Sequence, residues 1–82
     1  MALMEEVKAL LKNTLILGDE IDRLDADSPL LGSFRELDSV GVMSVVTAIE
    51  DEFDVEVDDA EISTEVFRSL GSLVAFVEQK MS

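Results

Sequence analysis

The 82-residue sequence contains no histidine, cysteine, tryptophan or tyrosine, and only one proline. Without cysteine it can form neither a disulfide framework nor a thiolate metal site. Without histidine it lacks the commonest general base and one of the main zinc ligands. Catalysis by this chain would depend on carboxylates, lysines and hydroxyls alone, so we expect a protein that is not an enzyme.

Long hydrophobic runs are missing too. Although 48% of the residues are hydrophobic, no apolar run approaches the length that crosses a bilayer, and we expect no membrane span. Glu5 and Glu6 stand where a secretory signal would carry positive charge, so we expect no signal peptide and a cytoplasmic location. Length and composition fit one small domain over residues 1–82.

Basic residues are scarce, since the chain has six lysines and arginines, 19 aspartates and glutamates, and a net charge of −13. Eleven of the acids follow one another without an intervening basic residue: Glu36, Asp38, Glu50, Asp51, Glu52, Asp54, Glu56, Asp58, Asp59, Glu61 and Glu65. Such a surface repels nucleic acid and attracts basic patches on partner proteins, mainly through faster encounter. The alternative is that these acids only keep a small domain in solution.

Apolar periodicity predicts a first helix over residues 2–17 with Gly18 at its end. Its stripe is Leu3, Val7, Leu10, Leu11 and Leu15. Residues 19–37 show no period and are rich in aspartate, serine and glycine, which predicts a long connection containing a short helical turn. Apolar side chains would hold this connection against the core: Ile21, Leu24, Leu30, Leu31 and Phe34.

The clearest helix is predicted over residues 39–53, with Asp38 as its N-cap at the positive end of the helix dipole. The buried stripe has the spacing i, i+3, i+4, i+7 and i+11. Its members are Val42, Val45, Val46, Ile49 and Phe53. Val40, Met43 and Thr47 lie off this stripe.

Beyond residue 53, Val55 and Val57 alternate with acids, which predicts an extended link. A short third helix over 59–67 and a last helix over 70–80, capped by Ser69, would follow. The inward side chains are predicted to be Ile62, Val66, Leu70, Leu73, Val74 and Val77. The expected fold class is therefore all-α, a four-helix bundle with a long first loop and a short third helix.

The acidic clusters suggest a calcium loop, but an EF-hand needs glycine at its sixth position. Counted from Asp25 that position holds Leu30, and counted from Asp54 it holds Asp59. We therefore predict no dedicated metal site, and a divalent-metal sensor is the weakest hypothesis. The phenylalanines at helical spacing favour a core over a ligand box. These are Phe53, Phe67 and Phe76.

Ser39 has two interpretations. Taken by itself, Asp38-Ser39 is the ordinary start of a helix. In context, the stretch LDSVGVMSVVTAIEDEFDVEV resembles the acyl carrier protein family. That family is marked by an Asp-Ser-Leu-like triplet that opens the second helix and by a run of acids and phenylalanine at its end, here residues 50–53. GSLVAFV is similar to the family's last helix, and the resemblance covers nearly the whole chain.

The resemblance implies an acyl-carrier-type four-helix bundle that does not catalyse. A separate phosphopantetheinyl transferase would attach 4′-phosphopantetheine from coenzyme A to Ser39, with Asp38 orienting the serine and contacting the transferase. The thiol of the arm would carry acyl groups as thioesters, so the protein needs no cysteine. Acyl-transferring or acyl-modifying enzymes with basic patches would bind a face of the serine helix made of Val40, Met43, Ser44, Thr47, Glu50 and Asp51. Residues that would shelter an acyl chain are Val45, Val46, Ile49, Ile62 and Leu73, which would equally serve as plain core.

The sequence departs from the family at several positions. Val40 stands where leucine usually follows the serine, Ser44 where many fatty-acid carriers have an acid, and Thr47 where they often have methionine. SPLLGSFRELDSV is similar to carriers of specialised clusters that accompany exosortase or exopolysaccharide genes. We expect a monomer in a specialised lipid, polyketide or related pathway. The alternative is an unmodified carrier-like domain that acts as an acidic docking or regulatory module.

Overall fold

The computed structural model describes residues 3–16, 18–30 and 38–81, without the side chains of residues 19 and 20. Three α-helices are present in these ranges, α1 (Leu3–Leu15), α2 (Ser39–Phe53) and α3 (Leu70–Met81). Two 3₁₀ helices, Asp19–Arg23 and Asp59–Glu61, lie in the connections. The helix α1 packs against both α2 and α3. No strand occurs in the described ranges, and the predicted all-α class is confirmed.

The core contains the side chains that the apolar stripes predicted. Each of the three α-helices contributes buried residues, two more come from the first connection and one comes from the segment between α2 and α3. The buried hydrophobic residues are Val7, Leu10, Leu11, Leu15, Ile21, Leu30, Val45, Val46, Ile49, Phe67, Leu70, Leu73 and Val77. Predicted stripe members at the rim are half-buried against this core: Leu3, Val42, Phe53 and Val74. Phe76 was predicted in the core but is half-buried on a surface groove with Val66 and Ala75.

The helix α1 ends three residues earlier than Gly18, contrary to the prediction. Leu15 is its last residue, and Ile16 has φ 55° with 86% of its surface exposed. A β-branched residue in the left-handed region costs roughly 1–2 kcal/mol. Gly18 instead precedes the first 3₁₀ helix, with an extended φ of −85°. Leu15 and Ile21 are buried on either side of this turn. Because both side chains must reach the core, the backbone between them has to reverse direction at Ile16.

The long first connection lies on the core as predicted. Its predicted helical turn is the 3₁₀ helix Asp19–Arg23, in which Ile21 is fully buried. Leu30 is buried and Leu24 is half-buried, while Leu31 and Phe34 lie outside the described residues. Two lysines of α1 also hydrogen-bond to this turn. Lys8 Nζ donates to the Asp22 carbonyl at 3.5 Å, and Lys12 Nζ donates to the Asp22 carboxylate at 3.2 Å.

The start of α3 is bonded to the first connection through the backbone. Leu70 N donates to the Ser28 carbonyl and Gly71 N to the Ala26 carbonyl, both at 2.9 Å. These are two of the N–H groups that a helix start cannot satisfy internally. Ser69 is the predicted cap: Ser72 N donates to Ser69 Oγ at 3.1 Å, and Ser69 N donates to Ser72 Oγ at 3.0 Å.

The segment after α2 is the main difference from prediction. An α-helix was expected over 59–67, but the chain forms a 3₁₀ helix of three residues and then a turn at 64–67. Ile62 and Val66 still pack on the core as predicted. Glu61 fixes this segment, because Lys80 Nζ at the end of α3 donates to both of its carboxylate oxygens at 2.9 and 3.0 Å. Glu61 Oε1 also accepts from Asp58 N at 3.0 Å.

Gly71→Ala tests the close approach between α3 and the first connection. A Cβ at this position would lie 2.7 Å from the Ala26 carbonyl oxygen, which is backbone and cannot rotate away. We expect a loss of about 1–3 kcal/mol in the free energy of unfolding from this overpacking, although alanine is the better helix former. Urea unfolding measures it. The matched control is Gly18→Ala at an exposed, extended position, with a change within about 0.5 kcal/mol; equal effects of the two variants would contradict the account.

Glu61→Gln tests the anchor between α3 and the segment after α2. The hydrogen bond from Lys80, followed by that from the Asp58 backbone, lowers the pKa of Glu61 below its ordinary value. A carboxylate with a lowered folded pKa stabilises the fold above its unfolded pKa of about 4.3 and loses that contribution as the pH falls through the folded value. The variant should therefore be less stable than the wild type at pH 7, and the difference should shrink under acid.

Denaturant midpoints across this pH range measure the effect. The matched control is Glu65→Gln, which removes the same charge from an exposed position and so corrects for the general relief of repulsion in an acidic chain. A difference between Glu61→Gln and wild type that stayed constant as the pH fell would show that the ion pair is not its source.

Candidate functional site

At the start of α2, the capping residue and the serine that follows it have different roles. Asp38 has the extended backbone of an N-cap, with φ −103° and ψ −165°, and its Oδ1 accepts a hydrogen bond from Gly41 N at 2.9 Å. This confirms the predicted cap. Ser39 is the first residue of the helix and is exposed. Because Asp38 makes the cap bond, the Ser39 hydroxyl is not needed for it.

A groove lies beside Ser39, between the start of α2 and the segment 62–67. Its volume is about 510 Å³. It is lined by Asp38, Ser39, Val42, Met43, Ile62, Ser63, Thr64 and Phe67. The lining is mainly apolar, with hydroxyls from three residues. Ser63, Thr64 and Phe67 were not among the predicted site residues; the only signal in the sequence was that apolar residues bracket two adjacent hydroxyl residues in the run ISTEVF.

The other side of α2 carries an exposed patch next to Ser39. Val40 is 74% exposed and Met43 is 48% exposed. Together with Ser39, Ser44 and Thr47 they line a shallow groove of about 620 Å³. The exposure of Val40, Met43 and Thr47 agrees with the prediction that they lie off the buried stripe. With Ser44, four of the six predicted partner-binding residues lie on one surface. We call Val40, Met43, Ser44 and Thr47 the serine-side patch.

The predicted acidic contacts lie at the far end of α2, and they are not equivalent. Asp51 is exposed. Glu50 is half-buried, and its Oε2 accepts a hydrogen bond from Val57 N at 2.9 Å. Glu50 therefore holds the link after α2 in place, a structural contact that the sequence did not predict.

The residues predicted to shelter an acyl chain are of two kinds, those buried in the core and one that lines the groove at Ser39. Val45, Val46, Ile49 and Leu73 are buried core residues. Ile62 is half-buried and lines the groove at Ser39. A role for these five residues in holding a chain stays a prediction.

A cluster of metal ligands and a helix that could span a membrane are both absent from the described ranges. Within residues 3–16, 18–30 and 38–81, no three histidine, cysteine, aspartate or glutamate side chains come together in a way that could hold a metal ion. In the same ranges, none of the helices has both the length and the apolar character to cross a membrane.

Comparison with known proteins matches this architecture to a family. The model of the phosphopantetheine attachment site family covers residues 5–77 of the chain. The chain belongs to this family of carrier proteins. It is 33% identical over 82 residues to an acyl carrier protein of Streptococcus thermophilus (strain CNRZ 1066), a match that covers 98% of this chain and 97% of the relative.

A solved structure agrees with the fold of the carrier. The solution NMR structure of a holo acyl carrier protein from Nitrosomonas europaea superposes with a TM-score of 0.89 and 48% sequence identity, covering 99% of this chain and 98% of that one. Acyl carrier proteins hold acyl intermediates on covalently attached 4′-phosphopantetheine and are carriers, not catalysts. The predicted family, cofactor and non-enzymatic role are thereby confirmed.

Asp38→Ala tests which residue caps α2. We expect a loss of about 1 kcal/mol in the free energy of unfolding, because the Gly41 N–H loses its acceptor. Asp38→Asn should retain most of the stability, since asparagine caps as well as aspartate while removing the charge. Ser39→Ala should change stability by less than about 0.5 kcal/mol. Chemical denaturation measures all three variants, and a larger loss for Ser39→Ala than for Asp38→Ala would mean that the serine is the cap.

Proposed function

We propose that Ser39 is the residue that carries 4′-phosphopantetheine and that the chain delivers acyl thioesters to partner enzymes from this position. The observation that supports the proposal is the exposed Ser39 hydroxyl at the first position of α2, with the cap bond made by its neighbour Asp38. In the loading step, Ser39 Oγ forms a bond to the phosphorus of the pantetheine arm of coenzyme A. The bond from that phosphorus to the nucleotide breaks, adenosine 3′,5′-bisphosphate leaves, and the serine proton goes to the transferase or to solvent.

The site fits a phosphopantetheine arm in two respects. The N-terminus of a helix stabilises an anion through its unpaired N–H groups and its dipole, so a phosphodiester on Ser39 is favourably placed. The groove beside Ser39 offers hydroxyls from Ser63 and Thr64 and apolar contacts from Val42 and Ile62. When bound, the arm supplies the thiol that a chain without cysteine does not have.

We propose that these groove residues orient the arm close to the protein. An amide-containing arm needs hydrogen-bond partners as well as apolar contact, and the groove provides both kinds of surface. Asp38 would contribute by fixing the position of Ser39 rather than by reacting. The buried candidates Val45, Val46, Ile49 and Leu73 would receive an acyl chain only if the core opened, whereas Ile62 can contact one in the present groove.

The departures from the family described above support a proposal for the pathway. We propose a cytoplasmic, monomeric single-domain carrier whose partners are a phosphopantetheinyl transferase and acyl-handling enzymes of a specialised lipid, polyketide or related pathway. Val40, Ser44 and Thr47 are the residues that support a specialised pathway, because they replace side chains that are usual in fatty-acid carriers.

Intact-protein mass tests the assignment of Ser39. The folded chain is incubated with coenzyme A, magnesium and a broad-specificity phosphopantetheinyl transferase, and we expect a gain of one phosphopantetheinyl group. Ser39→Ala should gain nothing because the attacking hydroxyl is gone. Ser44→Ala, which removes an exposed serine from the same helix, should still gain one phosphopantetheinyl group at the end point, because it keeps the Ser39 hydroxyl.

Two results would overturn the proposal. A folded wild type that gained no mass, while a known carrier was modified in parallel, would favour the unmodified docking module. A mass gain retained by Ser39→Ala would place the arm on another residue.

A further inference from the structure

The helix α3 has a second face that the core does not cover. The residues of its core face are fully buried: Leu70, Leu73 and Val77. The second face has the spacing i, i+3, i+4 and i+7. Its members are Ser72, Ala75, Phe76 and Gln79. Phe76 is only half-buried on this face, so part of an aromatic ring, a group that usually lies inside a protein, remains open to solvent.

This face forms one wall of a surface groove of about 630 Å³, which we call the α3 groove. The opposite wall is the segment that precedes α3, where Val66 lines the groove. Ser72 Oγ donates a hydrogen bond to the Val66 carbonyl at 2.8 Å, which ties the two walls together. The groove is therefore preformed, and little ordering of the protein would oppose binding there.

Acidic side chains flank the apolar part of the α3 groove. Glu65 lies on the segment before α3 and Glu78 lies on α3, and both are exposed. Among the described residues that line the groove there is no lysine or arginine. An aromatic ring between carboxylates on two walls is complementary to an apolar side chain that has cations beside it.

The α3 groove does not overlap the surface of α2. The segment 62–67 separates it from the groove at Ser39: Glu65 and Val66 line the α3 groove, and Ser63 lines both grooves. Within the described ranges, no residue of α2 lines the α3 groove. A molecule bound there would leave the serine hydroxyl exposed.

We propose that the α3 groove is a second docking surface, which binds a basic amphipathic segment of another protein and holds the carrier while Ser39 stays accessible. An apolar side chain of this segment packs on Phe76, and lysines or arginines beside it face Glu65 and Glu78. The proposal goes beyond the function assigned to Ser39. Binding at the α3 groove does not require the arm and is measured without it.

The charge of the chain argues for a basic protein segment over other occupants. A second copy of the chain would bring another net charge of −13. Three of the six basic residues, Lys8, Lys12 and Lys80, are already in ion pairs within the chain. The same negative charge repels nucleic acid and the anionic surface of a membrane.

The probe is a short synthetic helical peptide with leucines on one face and lysines on both sides of them, carrying a fluorescent label. Anisotropy titration measures its Kd for the carrier, and amide chemical shifts locate where it binds. A peptide of the same composition, shuffled so that the leucines no longer share a face, is the control for attraction by charge alone. We expect the amphipathic peptide to bind more tightly and to shift the amide signals of α3 and the segment 62–67.

Two matched pairs of variants test the groove. Phe76→Gln should raise the Kd at least about fivefold, as expected for an aromatic anchor at the centre of an interface. Met81→Gln, at an exposed position of α3 outside the groove, should leave it unchanged. Ala75→Lys places a cation inside the groove and should weaken binding more than Met81→Lys, which adds the same charge outside it. Ala75 is exposed and lysine is a good helix former, so this variant serves if Phe76→Gln does not fold by circular dichroism.

The acids are tested with a charge-matched pair. Glu65→Gln should raise the Kd by about twofold to threefold at low salt, and this effect should shrink at about 0.5 M salt because the ions screen it. Glu56→Gln removes the same charge from an exposed position outside the groove and should have a smaller effect. The peptide at saturating concentration should still allow Ser39 to gain one phosphopantetheinyl group at the end point.

Several results would overturn the proposal. They are no binding by the wild type, equal binding of the shuffled peptide, or a Kd raised by Met43→Gln in the serine-side patch and not by Phe76→Gln. A dimer of the wild type that Phe76→Gln dissolves would also overturn it, because the groove would then bind a second copy. Loading blocked by the peptide would contradict the accessibility of Ser39. A wild type that is not loaded even without peptide would remove the function proposed for Ser39, whereas the Kd values would still decide whether the α3 groove binds.

Discussion

The hydrogen bond from Gly41 N to Asp38 Oδ1 determines where α2 begins, and much of the molecule depends on that start. It places Ser39 on the first exposed position of the helix. It also sets the register that turns Val45, Val46 and Ile49 into the core. Had the serine been the cap, its oxygen would be committed to the backbone and the helix would begin one residue later. The cap therefore fixes both the start of the helix and the position of the exposed Ser39.

The segment that faces Ser39 is held from the opposite side of the bundle. Phe67 is buried at one end of it, and Glu61 is bonded to Lys80 of α3 near the other. The start of α3 is in turn bonded by backbone hydrogen bonds to the Ala26–Ser28 turn of the first connection. Few of these contacts belong to regular helices, yet they define the groove beside the serine.

Charge is distributed according to position along the serine helix. Asp38 is exposed at the start of the helix, residues 39–49 carry no charge, and the exposed acids resume at Asp51 and continue through the link that follows. Long-range attraction does not require charges to touch, so acids at a distance can raise the encounter rate. Close contact requires desolvation, which neutral and apolar side chains tolerate best.

The local features of this protein were determined by the sequence alone. The apolar stripes of the three α-helices, the caps Asp38 and Ser69, and the exposure of Val40, Met43 and Thr47 all follow from periodicity and hydrogen-bonding capacity within a few residues. The helical stripes, caps and exposure depend on interactions between residues close in sequence, so they can be predicted from the sequence. Similarity to carriers over nearly the whole chain extended the prediction to the family and its cofactor.

Tertiary structure decided the rest, because the deciding contacts join residues far apart in sequence. The end of α1 was set by the burial of Leu15 and Ile21 on both sides of a strained Ile16, so Gly18 was not used. The expected helix over 59–67 gave way to a 3₁₀ turn held by Lys80, 19 residues after Glu61. Glu50 became a backbone acceptor for Val57, and Ser63 and Thr64 joined the groove at Ser39. Packing across the core outweighs local propensity at such positions.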